Sequence, residues 1–174
     1  MDSVRTRAAR RDAAIGSLVF LFMAPGTVAV LVPWIITRWR MSDIPAGSAI
    51  LRPAGIVLIG AGALVLLEAF ARFALEGFGT PAPIYPTDRL IVRGTYRFVR
   101  NPMYLAVETL ILGQAALFGA FNLVIYGAMI AVTFHLFVIW VEEPTLRRTF
   151  PAEYRRYSAS VHRWLPRLTP WRSP

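Results

Sequence analysis

The chain has 174 residues, 56% of them hydrophobic, and a mean hydropathy of +0.50, an average that soluble domains rarely reach and a length that allows one structural domain. The net charge of +9 rests on 19 basic residues, all arginine, and in so apolar a chain it points to an anionic membrane face rather than to nucleic acid. There is no cysteine, which excludes disulfides, thiolate metal ligands and a cysteine nucleophile; no metal is expected.

A membrane-crossing helix needs about 20 apolar residues, and about four such segments are visible. The basic start "MDSVRTRAARRDAA" leads into a long apolar run without a small-residue cleavage pattern, so residues 13–37 are expected as a retained first span. Pro25, Gly26 and Pro33 predict a kink in it. A short polar connection, 38–48, leads to a second span over 49–75, where Glu68 and Arg72 lie four apart on one face. The connection 76–100 is rich in Gly, Pro and Arg. The third span is expected over 103–121 and the fourth over 122–141, joined by a tight turn and hence an antiparallel hairpin. The tail repeats Tyr154, Tyr157, Val161, Trp164 and Leu165 at helical spacing after Pro151, a pattern for an amphipathic helix on the cytoplasmic membrane surface or over a site.

The expected fold is therefore an all-α integral membrane protein. A transmembrane hairpin occupies 1–75. The second half, 76–174, holds the central connection, the second hairpin and the tail. Arginine is dense at the start, in the central connection and in the tail, and absent from the third-to-fourth turn. That asymmetry predicts both termini in the cytoplasm of a bacterial-type inner membrane. Arg38 and Arg40 then fall on the outer side, against the rule.

The stretch "RFVRNPMYL" sets two arginines and an Asn-Pro pair against an apolar run. Asn101 is a cap residue and Pro102 suits the first helical position, so the third span is expected to begin here. A helix start favours anions, and Arg97 and Arg100 add to that. Tyr104 and Glu108 follow one turn apart. The fourth span ends in Glu142 and Glu143, where a helix C-terminus disfavours them, and His135 lies seven residues earlier on nearly the same face. The hairpin brings Arg100, Asn101 and Tyr104 to the end that carries the two glutamates. Mixed charge of this kind suits a zwitterionic ligand, or the glutamates simply neutralise the arginines.

The runs "GTPAP", "LIVRGTYRFVRNPMYL", "EEPTLRRTF", "EYRRY" and "VHRWLPRL", in this order, resemble the isoprenylcysteine carboxyl methyltransferase and phospholipid methyltransferase superfamily of small membrane enzymes. The resemblance covers about the C-terminal half; the first two spans carry no such signal. It implies an S-adenosylmethionine-dependent methyltransferase, with cofactor-binding positions at Gly94, Tyr96, Arg100, Asn101, Pro102, Tyr104, Glu142, Glu143, Tyr154, Tyr157 and Arg163. Asn101 stands where many members have histidine, and Thr95 where proline is common. The sulfonium methyl is already electrophilic, so the protein mainly aligns it with a nucleophile. A carboxylate acceptor needs an arginine such as Arg100 to hold it, whereas an amine or thiol needs a proton acceptor. Glu108 and His135 are the candidates inside the spans; their alternative is interhelical hydrogen bonding. The expected partners are membrane lipids and a lipophilic acceptor with a carboxylate favoured. The alternative is a non-catalytic lipid-binding or assembly protein of the same fold.

Overall fold

The computed structural model describes residues 21, 23–42, 50–76, 90 and 92–172, with side chains of 73–76 outside that set. The basic start, "GTPAP", Arg89 and the last two residues lie outside the described residues. Helices α1 (Thr27–Thr37), α2 (Leu51–Glu76), α3 (Pro102–Phe118), α4 (Phe121–Thr149) and α5 (Pro151–Ser160) carry the fold, with a short 3-10 turn at Gly94–Arg97; no strand occurs among the described residues.

Two of these helices, α2 and α4, are long and apolar enough to cross a membrane, and α1 and α3 are shorter apolar helices. The most apolar window of α4 has a mean hydropathy of 2.2, yet only 11% of it is buried inside the protein. Met129, Val132 and Trp140 are each more than half exposed. A helix that is apolar all round and unburied has lipid as its solvent, so this is a membrane protein.

Small residues let α2 and α3 pack backbone to backbone. A Cβ added at Gly55 would stand 2.6 Å from the Gly113 carbonyl oxygen, and one at Gly62 would stand 2.9 Å from that of Ala106. As α2 advances from 55 to 62, its partner falls from 113 to 106, so the pair is antiparallel. Between helices in lipid, close approach of this kind supplies the attraction that water supplies elsewhere. A core of Ala29, Leu66, Phe70, Ala106, Val107 and Ile111 joins α1, α2 and α3, with Ile130 and Phe134 of α4 packed on it. The expected third-to-fourth turn is tight: Gly119, at φ 67°, closes α3, and α4 starts two residues later.

Prolines reshape two helices in the same way. Pro33 and Pro144 lack an N–H and crowd the carbonyl four residues back. Each follows a π-turn, Thr27–Leu31 in α1 and Val138–Glu142 in α4. In α1 the Val32 N–H reaches back five residues to Thr27, which leaves the Val28 and Ala29 carbonyls without their helical donors. Other helices satisfy both: Gln114 Nε2 donates to Ala29 O at 2.7 Å, and the Tyr126 hydroxyl donates to Val28 O at 3.0 Å. Backbone polar groups in lipid have no water to turn to, so the helix break itself ties α1 to α3 and α4.

Candidate functional site

The site forms where α3 begins, around the second π-turn. An extra residue in a helical turn slips the phase by about 100°. Val138 and Glu143, five residues apart, are consequently both buried on one face. The helix then runs on to Thr149, which corrects the expectation that the two glutamates end it. Neither carboxylate opposes a helix dipole.

Glu143 is 4% exposed and wholly engaged. Arg163 grips it with Nε on Oε1 at 2.6 Å and Nη2 on Oε2 at 3.1 Å. Arg100 Nη1 stands 3.1 Å from Oε1, and Arg147 Nη2 donates to Oε2 at 3.1 Å. Three guanidinium groups thus share one carboxylate, and the bond to Glu143 holds the Arg163 guanidinium further above its usual range. Arg147 was missed by sequence reasoning, although its spacing of four from Glu143 is the signal for such a pair. The Arg100 Nη1 also donates to the Tyr154 hydroxyl at 2.9 Å, while its buried Nε has no hydrogen-bond partner.

Glu142 differs. It accepts a hydrogen bond from the Tyr104 hydroxyl at 2.9 Å and forms no salt bridge among the described residues. Tyr104 packs against Phe134 at 4.6 Å between ring centroids and meets the edge of Trp164 at 6.4 Å. Pro102 is the first residue of α3, as expected, but Asn101 does not cap the helix with its side chain. Its amide donates instead to the Arg163 carbonyl at 3.2 Å. The α3 N-terminus is left without a side-chain cap, beside Arg100.

The tail closes over this segment. Arg100 N–H donates to His162 O, Arg167 N–H to Phe98 O, and Trp171 N–H to Arg97 O, at 2.9–3.0 Å. Arg97 Nε returns a bond to Trp171 O at 2.7 Å. The expected apolar stripe is turned inward: Tyr154, Tyr157 and Val161 are buried with Leu146, Phe150 and Trp171. Of the two expected placements of this stripe, on the membrane surface or over a site, the burial matches the second. Val161 and Trp164 lie beyond the end of α5, and Leu165 is exposed, because the chain turns extended at Val161. The Tyr157 hydroxyl donates to Tyr96 O at 2.6 Å. Burial pushes both the Tyr154 and Tyr157 phenols up from their usual range, so both stay neutral hydrogen-bonding groups.

Gly94 adopts φ 56°, and a side chain there would run into the Glu68 carboxylate and Arg72. Glu68 accepts from Arg72 Nε at 2.7 Å and from the Thr95 hydroxyl at 2.8 Å. The α2 pair therefore anchors the turn that carries Tyr96 towards the site.

Glu108 and His135 are not brought together. Glu108 lies beside Gly127, whose added Cβ would stand 3.4 Å from its Oε2, and its Oε1 is buried without a partner. His135 is eight residues further along α4 and exposed, not buried as expected; its Nδ1 accepts from the Trp164 indole at 3.0 Å. The π-turn that separates His135 from Glu142 removes their shared face.

The family profile described as Phospholipid methyltransferase matches residues 51–153, which includes α2 and stops within α5. The second span thus carries family signal, contrary to the sequence expectation. No curated protein and no solved structure matches the chain. With more than half of its length in that match, the chain belongs to the phospholipid methyltransferase family, a family of methyltransferases.

Proposed function

We propose that this protein transfers a methyl group from S-adenosylmethionine to a lipophilic acceptor at the junction of α3, α4 and the tail. The observation that carries the reading is the unequal use of the two glutamates. Three arginines on Glu143 leave excess positive charge at the site, and Glu142 beside it has no salt bridge among the described residues. An amino acid moiety has the complementary pair of charges. Its carboxylate would meet Arg100 and the uncapped start of α3; its ammonium would meet Glu142. When bound, S-adenosylmethionine supplies a methyl group already activated for transfer.

The chain's own residues then hold and shield. Arg163 and Glu143 lock Arg100 in place, Tyr96, Tyr154 and Tyr157 wall the site, and the tail keeps water from it. Tyr104 sets the start of α3 against Phe134 and Trp164, where the polar cluster borders the lipid-facing side of α4. Both termini on the cytoplasmic side would bring the cofactor from water and the acceptor from the bilayer. A carboxylate head on the acceptor is favoured, because cations exceed anions at the site and Glu108 and His135 stand about 12 Å apart along the bundle.

The test is to incubate the purified protein with methyl-labelled cofactor and a total lipid extract, and to identify the labelled product. A carboxylate acceptor gives a rate nearly flat from about pH 6 to 9, since its pKa lies near 4. A rate rising through that range indicates an amine or thiol head. No labelled lipid, with S-adenosylmethionine failing to bind, would overturn the proposal in favour of a non-catalytic lipid-binding protein.

A further inference from the structure

The bundle has a second polar cluster at its opposite end, about 25 Å away along α3. The chain leaves α1 through Arg38 and Trp39, at φ 51° and 52°, two consecutive non-glycine residues in the left-handed region. Such a conformation costs on the order of 1 kcal/mol or more for each residue and persists only where surrounding bonds impose it. Here they do. Arg38 N–H donates to Trp34 O, Trp39 N–H to the Thr37 hydroxyl, Arg40 N–H to Thr37 O, and Ser42 N–H to Phe118 O at the end of α3. Arg52 Nη2 braces the turn through Ser42 O at 3.1 Å.

This strained turn presents arginines beside an apolar groove. The groove has a volume of about 610 Å³ and lies between α1, α2 and α3, with Val30, Leu31, Trp34, Trp39, Leu66 and Leu110 in its wall. That is within the roughly 300–1,000 Å³ of small-ligand sites. Arg38 and the groove are physically joined: its guanidinium sits 4.5 Å from the centroid of the Trp34 ring. Arg38, Arg40 and Arg52 are all exposed, and no salt bridge holds them among the described residues. Arg38 and Arg40 are also the two arginines that the expected topology leaves on the outer side, against the membrane charge rule.

We infer that this end of the protein binds an anionic phospholipid, with an acyl chain in the α1–α2–α3 groove and the phosphate at Arg38 and Arg40. The apolar wall takes a tail that would otherwise lie in the bilayer. The tryptophans mark the level where tail meets head group, as aromatic residues do at a membrane interface. Guanidinium groups on a braced turn offer forked donors to phosphate oxygens at little further entropic cost. The site is separate from the methyltransferase centre, and its occupant is held, not transformed.

The experiment uses the whole protein in neutral detergent. Phosphatidylglycerol and phosphatidylcholine with identical chains are titrated, and binding is followed by thermal stabilisation and by intact-complex mass spectrometry. The expected result is an affinity at least tenfold higher for phosphatidylglycerol, with inorganic phosphate alone giving no stabilisation. Arg38→Gln with Arg40→Gln should bring the preference below twofold. Val30→Trp, which fills the groove, should weaken both lipids while leaving the preference. Unchanged helical content by circular dichroism checks that the variants fold, and Arg38→Lys, which keeps the charge, should keep a preference for phosphatidylglycerol. Equal affinities in the parent protein, a preference that survives the double variant, or lipid binding untouched by Val30→Trp would each overturn the inference. None of these readouts involves methyl transfer, so they stand or fall apart from the enzymatic reading.

Discussion

Glu143 and Glu142 are neighbours in sequence with opposite expected roles, and substituting them separately tests that division. Glu143→Ala removes the one carboxylate shared by Arg100, Arg147 and Arg163. The Arg147 side chain is 64% exposed, so its pair contributes at most about 1 kcal/mol. Arg100 at 12% and Arg163 at 28% are largely desolvated, and leaving such charges unpaired costs about 3–5 kcal/mol. For a chain of this length that corresponds to a fall in Tm of roughly 6–20 °C. Glu142→Gln keeps an acceptor for Tyr104 and gives up at most about 1 kcal/mol of stability, a shift of no more than about 4 °C. It should instead weaken binding of the demethylated cofactor at least tenfold, about 1.4 kcal/mol for one charge-assisted contact. Thermal unfolding in detergent and calorimetric titration measure the two effects. If Glu143→Ala melts within about 2 °C of the parent protein, or Glu142→Gln binds the cofactor as tightly, the assignment of the two carboxylates is wrong.

The proline-linked contacts offer a coupling test. Gln114→Leu should cost about 1–3 kcal/mol by stranding the Ala29 carbonyl, and the cost should shrink by at least about 1 kcal/mol in a Pro33→Ala background, where a backbone donor returns; equal costs in both backgrounds refute the role given to Gln114. Gly94→Ala should destabilise by more than about 1 kcal/mol, because it meets both a left-handed backbone and the Glu68 carboxylate, and Glu68→Ala should relieve the steric part; the cost of Gly94→Ala should therefore be smaller in the Glu68→Ala background, though not zero, and an equal cost in both backgrounds refutes the clash. Reporter fusions at the two ends should both read cytoplasmic, and opposite readings would require an odd number of spans.

The sequence by itself determined the solvent of this protein and the rough positions of its helices. Hydropathy is a sum over neighbours, so α2 and α4 are visible in it, while the Gly119 turn and Pro102 at the start of α3 are legible from turn and cap chemistry. The runs around Arg100 and Glu142 also pointed to their family, and the hairpin argument brought their ends to one place. Which partner each charged group takes was decided only by the tertiary structure. Glu142 and Glu143 are alike as residue types; one is saturated and one is not because a π-turn ahead of Pro144 sets the phase of α4. The same slip parts His135 from Glu142, and helical spacing counted at 3.6 residues per turn is blind to it. Asn101 has the composition of a cap, yet the tail supplies a carbonyl that its amide meets instead. The stripe of Tyr154, Tyr157 and Val161 reads equally as membrane-facing or protein-facing, since an apolar face records only that water is excluded, not what excludes it.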